Sequence, residues 1–136
     1  MPLIEWNEEL ELGYRPIDAD HRKLTEMVNE LYDYILAGSS MTLILALFER
    51  LVSHAVTHFR REEHLMEESA YPERLDHMAA HHHLESQIME SLERFNAGER
   101  IFSLEMVQFL RDWLVIHIKT MDRNLSDYLI RETSVK

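Results

Sequence analysis

All three glycines and all three prolines of this 136-residue chain stand outside its strongly periodic apolar segments. Gly13 and Pro16 precede the first such segment, Gly38 ends it, Pro72 opens the third and Gly98 closes it. Helix interiors tolerate these two residue types least, while helix ends favour them, so the placement punctuates helices. The spacing predicts a first helix from Asp18 to Ala37, with Leu24, Met27, Val28, Leu31 and Ile35 on one face. A second runs from Ser40 to Ser69 and carries Leu43, Leu47, Leu51, Ala55 and Phe59. The third begins at Pro72, a favoured first-turn residue, and reaches Ala97. The fourth starts at Ser103, a good N-cap, and continues at least to Ile118.

The links are short: Gly38-Ser39-Ser40, Ala70-Tyr71 and Gly98-Glu99-Arg100. Short links between long helices make antiparallel neighbours. The expected fold is therefore all-α, an up-down-up-down antiparallel four-helix bundle. Residues 1–136 are expected to form one domain, with an extended arm over 1–17 and the bundle over 18–132. Trp6 and Tyr14 are the expected anchors of that arm.

Composition narrows the chemistry. There is no cysteine, which removes disulfides, thiolate zinc sites and iron–sulfur clusters together and suits a reducing cytoplasm. The acidic start MPLIEWNEELELGY lacks the continuous apolar stretch of a signal peptide, and no apolar run approaches a membrane span. The expectation is a cytoplasmic protein without membrane insertion. A net charge of −11 argues against a nucleic-acid partner, whose backbone needs a basic face. A protein partner is not legible in the sequence. Nine histidines in so short a chain are the anomaly.

Four of them crowd into LDHMAAHHHL, residues 75–84, yet they cannot all share a face. His77 and His81 are four apart and point to one side of a helix, as do His58 and Glu62. His82 and His83 turn away by about 100° and 200° and read as surface. Folding the chain at its turns brings distant residues level, because antiparallel helices rise equally per residue. Reflection of His21 about Ser39–Ser40 lands on His58, and His58 reflects to within a residue of His81. Glu62 lands near His77, His81 reflects onto His117, and His77 lands beside Asp122. Seven metal-competent side chains from four helices thus fall into about two layers.

His117 and Asp122 are five apart and would diverge by about 140° on a regular helix. If both face the cluster, the fourth helix must loosen, bulge or end between them. His54 lies one turn before His58 on the same face, and its level places it beside the cluster rather than within it. His64 is off the Glu62 face and reads as exposed.

The set His21, His58-x3-Glu62, His77-x3-His81 and His117-x4-Asp122 resembles the hemerythrin pattern, and the length is similar to that of single-domain bacteriohemerythrins. The surroundings fit as well: WN near the start, IDADH, HFRREEHLM, the YP turn and WLVIHI. The likeness extends from Trp6 to Asp122. It implies two iron ions. His77, His81 and His117 would be terminal ligands of one, His21 and His58 of the other, with Glu62 and Asp122 as bridging carboxylates. It also implies that Leu24, Phe59, Trp113, Leu114 and Ile118 line an oxygen pocket, although each would serve equally as ordinary core.

The implied ligand count carries its own consequence. Two octahedral metals offer about twelve positions. Five imidazoles, two bridging carboxylates and a shared oxide or hydroxide leave one open, on the iron with only two histidines. The reading that follows is a di-iron protein that binds dioxygen reversibly, for storage, delivery or scavenging, and that is not an enzyme. Imidazole-rich ligation does less than carboxylate-rich ligation to support highly oxidised iron. The alternatives are an oxygen, redox or nitric oxide sensor, a peroxidase-like or nitric-oxide-reducing di-iron enzyme, and a structural zinc protein. Structural zinc takes four ligands and would leave the others stranded.

Overall fold

The computed structural model describes residues 2–98 and 103–134. The chain forms helices α1 (Arg15–Leu36), α2 (Met41–Glu68), α3 (Arg74–Asn96) and α4 (Leu104–His117). A single π-helical turn, Ile118–Asp122, then leads straight into α5 (Arg123–Ser134). α4, the π turn and α5 together make the fourth rod of the bundle. α1 packs against α2 and α4, and α2 against α3, as the up-down-up-down order requires.

The punctuation acts largely as the sequence suggests. Gly38, at φ 68°, donates to Ile35 O and Ser39 N–H donates to Tyr34 O, so α1 ends in a Schellman motif. α2 ends the same way, with Ala70 N–H on Glu67 O and Tyr71 N–H on Met66 O. There the left-handed position is held by Ala70 at φ 54°, a cost of about 1 kcal/mol relative to glycine. Ser40 Oγ caps α2 by accepting from Leu43 N–H, and Ser103 Oγ caps α4 by accepting from Met106 N–H.

Two boundaries differ from expectation by more than one residue. α1 begins at Arg15, so Pro16 lies inside its first turn, where a missing N–H costs nothing, and the arm ends before residue 15. α3 begins at Arg74, so Pro72 belongs to the preceding turn rather than the helix. The link Gly98-Glu99-Arg100 lies mostly outside the described residues.

The buried stripe of α2 also differs. Leu43 is 41 % exposed and Leu47 half-buried, whereas Ile44 and Phe48 enter the core. The run MTLILALF offers two apolar stripes one residue apart. The one chosen is in phase with Leu51, Ala55, His58 and Glu62 at helical steps. In α1, Leu24, Val28 and Leu31 are buried and Met27 and Ile35 partly so.

The arm is held more by aliphatic side chains than by its aromatics. Ile4, Leu10 and Leu12 are buried, while Trp6 and Tyr14 are half-buried against them. Asn29 brackets Ile4 by accepting from its N–H at 2.7 Å and donating to its carbonyl at 2.8 Å. Asp18 accepts the N–H groups of Leu12 and Gly13 at 2.8 and 2.9 Å, fixing the chain where it turns into α1. No helix among the described residues is long and apolar enough to cross a membrane.

Candidate metal centre

The π turn solves the spacing of His117 and Asp122. Its wider coil fits five residues into roughly one revolution, so residue 122 returns to the face of residue 117. Thr120 Oγ1 donates to Ile116 O on the outer side, and Asp122 is turned inward and buried.

With that turn in place, His21, His58, Glu62, His77, His81, His117 and Asp122 meet at mid-bundle, each no more than 5 % exposed. Their atoms divide into two sets. Glu62 Oε1 approaches His81 Nε2 at 3.1 Å and His77 Nε2 at 3.6 Å; Asp122 Oδ1 approaches His77 Nε2 at 2.9 Å and His117 Nε2 at 3.2 Å. On the other side, Glu62 Oε2 approaches His58 Nε2 at 3.1 Å and His21 Nε2 at 3.8 Å, and Asp122 Oδ2 approaches His21 Nε2 at 2.8 Å. Each carboxylate therefore turns one oxygen to each histidine group. One set holds Glu62, His77, His81, His117 and Asp122; the other holds His21, His58, Glu62 and Asp122.

These side chains fit a pair of metal ions. Nε2 of His21, His58 and His81 and both oxygens of Glu62 are buried without a hydrogen-bond partner, despite the short approaches between them. His77 Nε2 and His117 Nε2 face each other at 3.2 Å, a contact that a single proton can only half satisfy. Burying so many unpaired polar atoms is costly unless something bridges them. Neighbouring donors on an octahedral ion with bonds near 2.1 Å sit about 3 Å apart, which matches the closest approaches here.

The charges of the cluster are coupled. Burial works against a charged His58, but the Glu62 carboxylate and the bond to Asp20 outweigh it and hold His58 up at about 10. Burial likewise opposes His77, while Asp122 and Glu62 raise it to about 9. Burial and mutual repulsion push Glu62 upward, yet His58 and His77 bring its carboxyl below the ordinary range. Asp122 is lowered well below its usual value, with His117, His21 and His77 overcoming burial. In the absence of metal, protons fill the role of the cations.

Two residues that the sequence reading passed over hold the histidines in place. His58 Nδ1–H donates to Asp20 Oδ2 at 2.8 Å, and Arg61 donates to the same oxygen. His81 Nδ1–H donates to Glu63 Oε2 at 3.0 Å, with Arg60 on the other oxygen of Glu63 and on Glu85. The signal was present as a carboxylate adjacent to a cluster residue, in IDADH and RREEH, but neighbours in sequence normally point apart on a helix. Such partners fix the tautomer and ring direction of a metal ligand. Replacing Asp20 by alanine is expected to weaken metal binding about 10- to 100-fold, measured by competition with a chelator, while Asp20→Glu retains more.

The remaining histidines lie off the cluster. His64, His82 and His83 are exposed. His54 is half-buried beside the cluster, with a buried Nε2 that has no hydrogen-bond partner, and burial lowers its basicity.

An apolar cavity of about 40 Å³ abuts the four-donor set, touching His21, His58 and Asp122, and also His117. Leu24, Phe59, Trp113 and Leu114 line it. Ile118 is fully buried in the π turn but does not line this cavity. Phe59 stacks on His81 with ring centres 4.1 Å apart, and Trp113 stacks on His117 at 4.4 Å. Two aromatic plates thus brace the five-donor set from the cavity side.

The sequence model described as "Hemerythrin HHE cation binding domain" matches residues 12–129. A bacteriohemerythrin of Stenotrophomonas maltophilia is 35% identical over 129 residues, spanning 93% of this chain and 82% of its own. One from Methylococcus capsulatus is 32% identical over 124 residues, spanning 90% and 94%. The crystal structure of a wild-type hemerythrin superposes with a TM-score of 0.87 at 29% identity, covering 93% of this chain and 98% of that one.

Proposed function

The chain belongs to the hemerythrin family, and on that premise we propose that it holds two iron ions and binds dioxygen reversibly. The observation that carries this reading is the inequality of the two donor sets, five against four, with the apolar cavity beside the smaller set. His77, His81 and His117 would hold one ion, His21 and His58 the other, and Glu62 and Asp122 would bridge them, with an oxide or hydroxide completing the bridge. At a centre so held, two electrons would be available to a small ligand, one from each ferrous ion. The smaller set has a donor fewer, so the open position would fall on the side of His21 and His58.

The chain's own part is to admit a small apolar molecule and keep water out. The cavity has room for a molecule of about water's size, and apart from cluster members its lining is hydrocarbon and aromatic, so water there would lack partners. Leu24 and Leu114 stand beside the four-donor set, and Leu114 lies one turn before His117. Among the described residues, the cavity lining offers no acidic or basic side chain outside the cluster. A proton donor for turnover is the part that an oxygen-processing enzyme would need there, and this favours a binding protein.

The test is spectroscopic. Protein loaded with ferrous iron is exposed to dioxygen, then purged. A visible charge-transfer band that appears and then vanishes on purging is the expected result. A single irreversible conversion, or turnover of an added reductant, would favour the enzyme reading. In the same assay Leu114→Ala is expected to raise the rate of autoxidation roughly tenfold, equivalent to about 1.4 kcal/mol less barrier to water and proton entry. An unchanged rate means that Leu114 does not guard the site.

A further inference from the structure

Two cavities reach the cluster, and their chemistry is opposite. The apolar one meets the four-donor set. The second, about 120 Å³, lies between the start of α3, the π turn and α5, and is lined by Tyr71, Glu73, Asp76, His77, Met121 and Asn124. A neighbouring hollow shares Tyr71, Glu73 and Asn124 and adds Asp127 and, farther along α5, Arg131. The polar cleft therefore opens to solvent among carboxylates and ends on a ring of the five-donor set.

We propose that this cleft is the route by which ferrous iron, a hydrated divalent cation, enters the centre, with Glu73 and Asp76 collecting it and the cleft ending on the His77 ring. The inference rests on the di-iron reading above. A divalent ion cannot shed its water along the apolar cavity, whose lining offers no donor before the cluster itself. It can do so stepwise along carboxylates. Glu73 and Asp76 are exposed at the mouth, and Tyr71 O–H occupies only one oxygen of Glu73, at 3.0 Å.

The floor of the cleft supplies the second observation. His77 is only 1 % exposed, and its Nδ1 is buried without any hydrogen-bond partner. Its Nε2 faces Asp122 and His117, which leaves Nδ1 on the ring edge away from the cluster. His58 and His81 are anchored at Nδ1 by Asp20 and Glu63, whereas Nδ1 of His77 has no such anchor. Among the described residues, groups of three or more converging donors are built only around Glu62 and Asp122. The cleft therefore passes an ion on rather than retaining it. As acids at the start of α3, Glu73 and Asp76 also suit the helix dipole, but that role does not require a cleft ending on an unpartnered imidazole nitrogen.

The experiment follows uptake of Fe(II) by iron-free protein, mixed anaerobically at low ionic strength and sampled with a ferrous-specific chelating dye. The Glu73→Gln/Asp76→Asn double variant is expected to load at least about tenfold more slowly, with the difference shrinking as salt is added and the final iron content unchanged. Asn124→Asp, which adds a carboxylate to the same lining, is expected to load faster. Glu90→Gln/Glu93→Gln, exposed farther along α3, is expected to load at the unaltered rate. Unaltered rates in both the double variant and Asn124→Asp would overturn the route, as would equal slowing by the Glu90/Glu93 control. A final content below two irons in the unaltered protein contradicts the di-iron reading instead. The route is still judged by the relative rate of the first ion taken up.

Discussion

Glu62→Ala is expected to reduce iron retained after desalting from about two ions per chain to well under one, an effect that within the cluster only Asp122→Ala should match. Glu62 belongs to both donor sets, so one truncation leaves four donors where there were five and three where there were four. The variant also loses stability without metal. His58 and His77 owe much of their raised basicity to the Glu62 carboxylate, and truncation leaves those positive charges buried with less compensation. Breaking a buried pair in this way costs roughly 3–5 kcal/mol. The checks are iron quantification and thermal denaturation of the iron-free form. Glu63→Ala, one residue on, is the contrast: it removes a partner of His81 rather than a member of the sets and should cost about 10- to 100-fold in affinity. A Glu62→Ala protein that still held two irons would remove the bridging role.

Iron loading at neutral pH is expected to expel at least about two protons per chain, because His58 and His77 are protonated in the iron-free protein and must be neutral to bind metal, with one more from a water that becomes the bridging hydroxide. Below about pH 9 the overall affinity for the ion pair should therefore rise by at least about a hundredfold per pH unit, and indicator dye in weakly buffered solution should record the release. The stability of the iron-free form runs the other way. A histidine with a raised folded value contributes fully below the unfolded value of 6.5, and the contribution is lost as pH rises through about 9 and 10. The lowered carboxyls of Glu62 and Asp122 contribute above their ordinary values and lose that contribution only as pH falls through the lower folded ones. From these groups, iron-free protein is most stable between about pH 4.5 and 6.5 and weakens toward alkaline pH. Loaded protein lacks that alkaline decline, so the melting temperatures of the two forms should separate as pH rises. Loading with no proton release would contradict this balance.

Much of the site could be read in one dimension because helices convert sequence distance into angle and height. Reflection about Ser39–Ser40 placed His21 level with His58, and their rings lie 4.8 Å apart. Reflection about Glu99 placed His81 level with His117, at 5.1 Å. The awkward spacing of His117 and Asp122 required an irregular turn, and the π turn lies where it was required. The stripe of α2 was misjudged because two apolar stripes coexist in MTLILALF, and periodicity alone cannot choose between them. Asp20 and Glu63 were missed because their partners lie on the neighbouring helix, 38 and 18 residues away.

By itself, then, the sequence determined the helices, their order, the level at which the histidines meet and the family to which the chain belongs. Spacing, punctuation and residue type carry that information directly. The tertiary structure alone decided which oxygen of each carboxylate faces which histidines, which imidazoles are anchored, and that the cluster is flanked by an apolar cavity on one side and an acidic cleft on the other. Those features depend on rotamers and on the gaps between packed helices. Neither is periodic along the chain; both arise only when four helices settle side chain by side chain against one another.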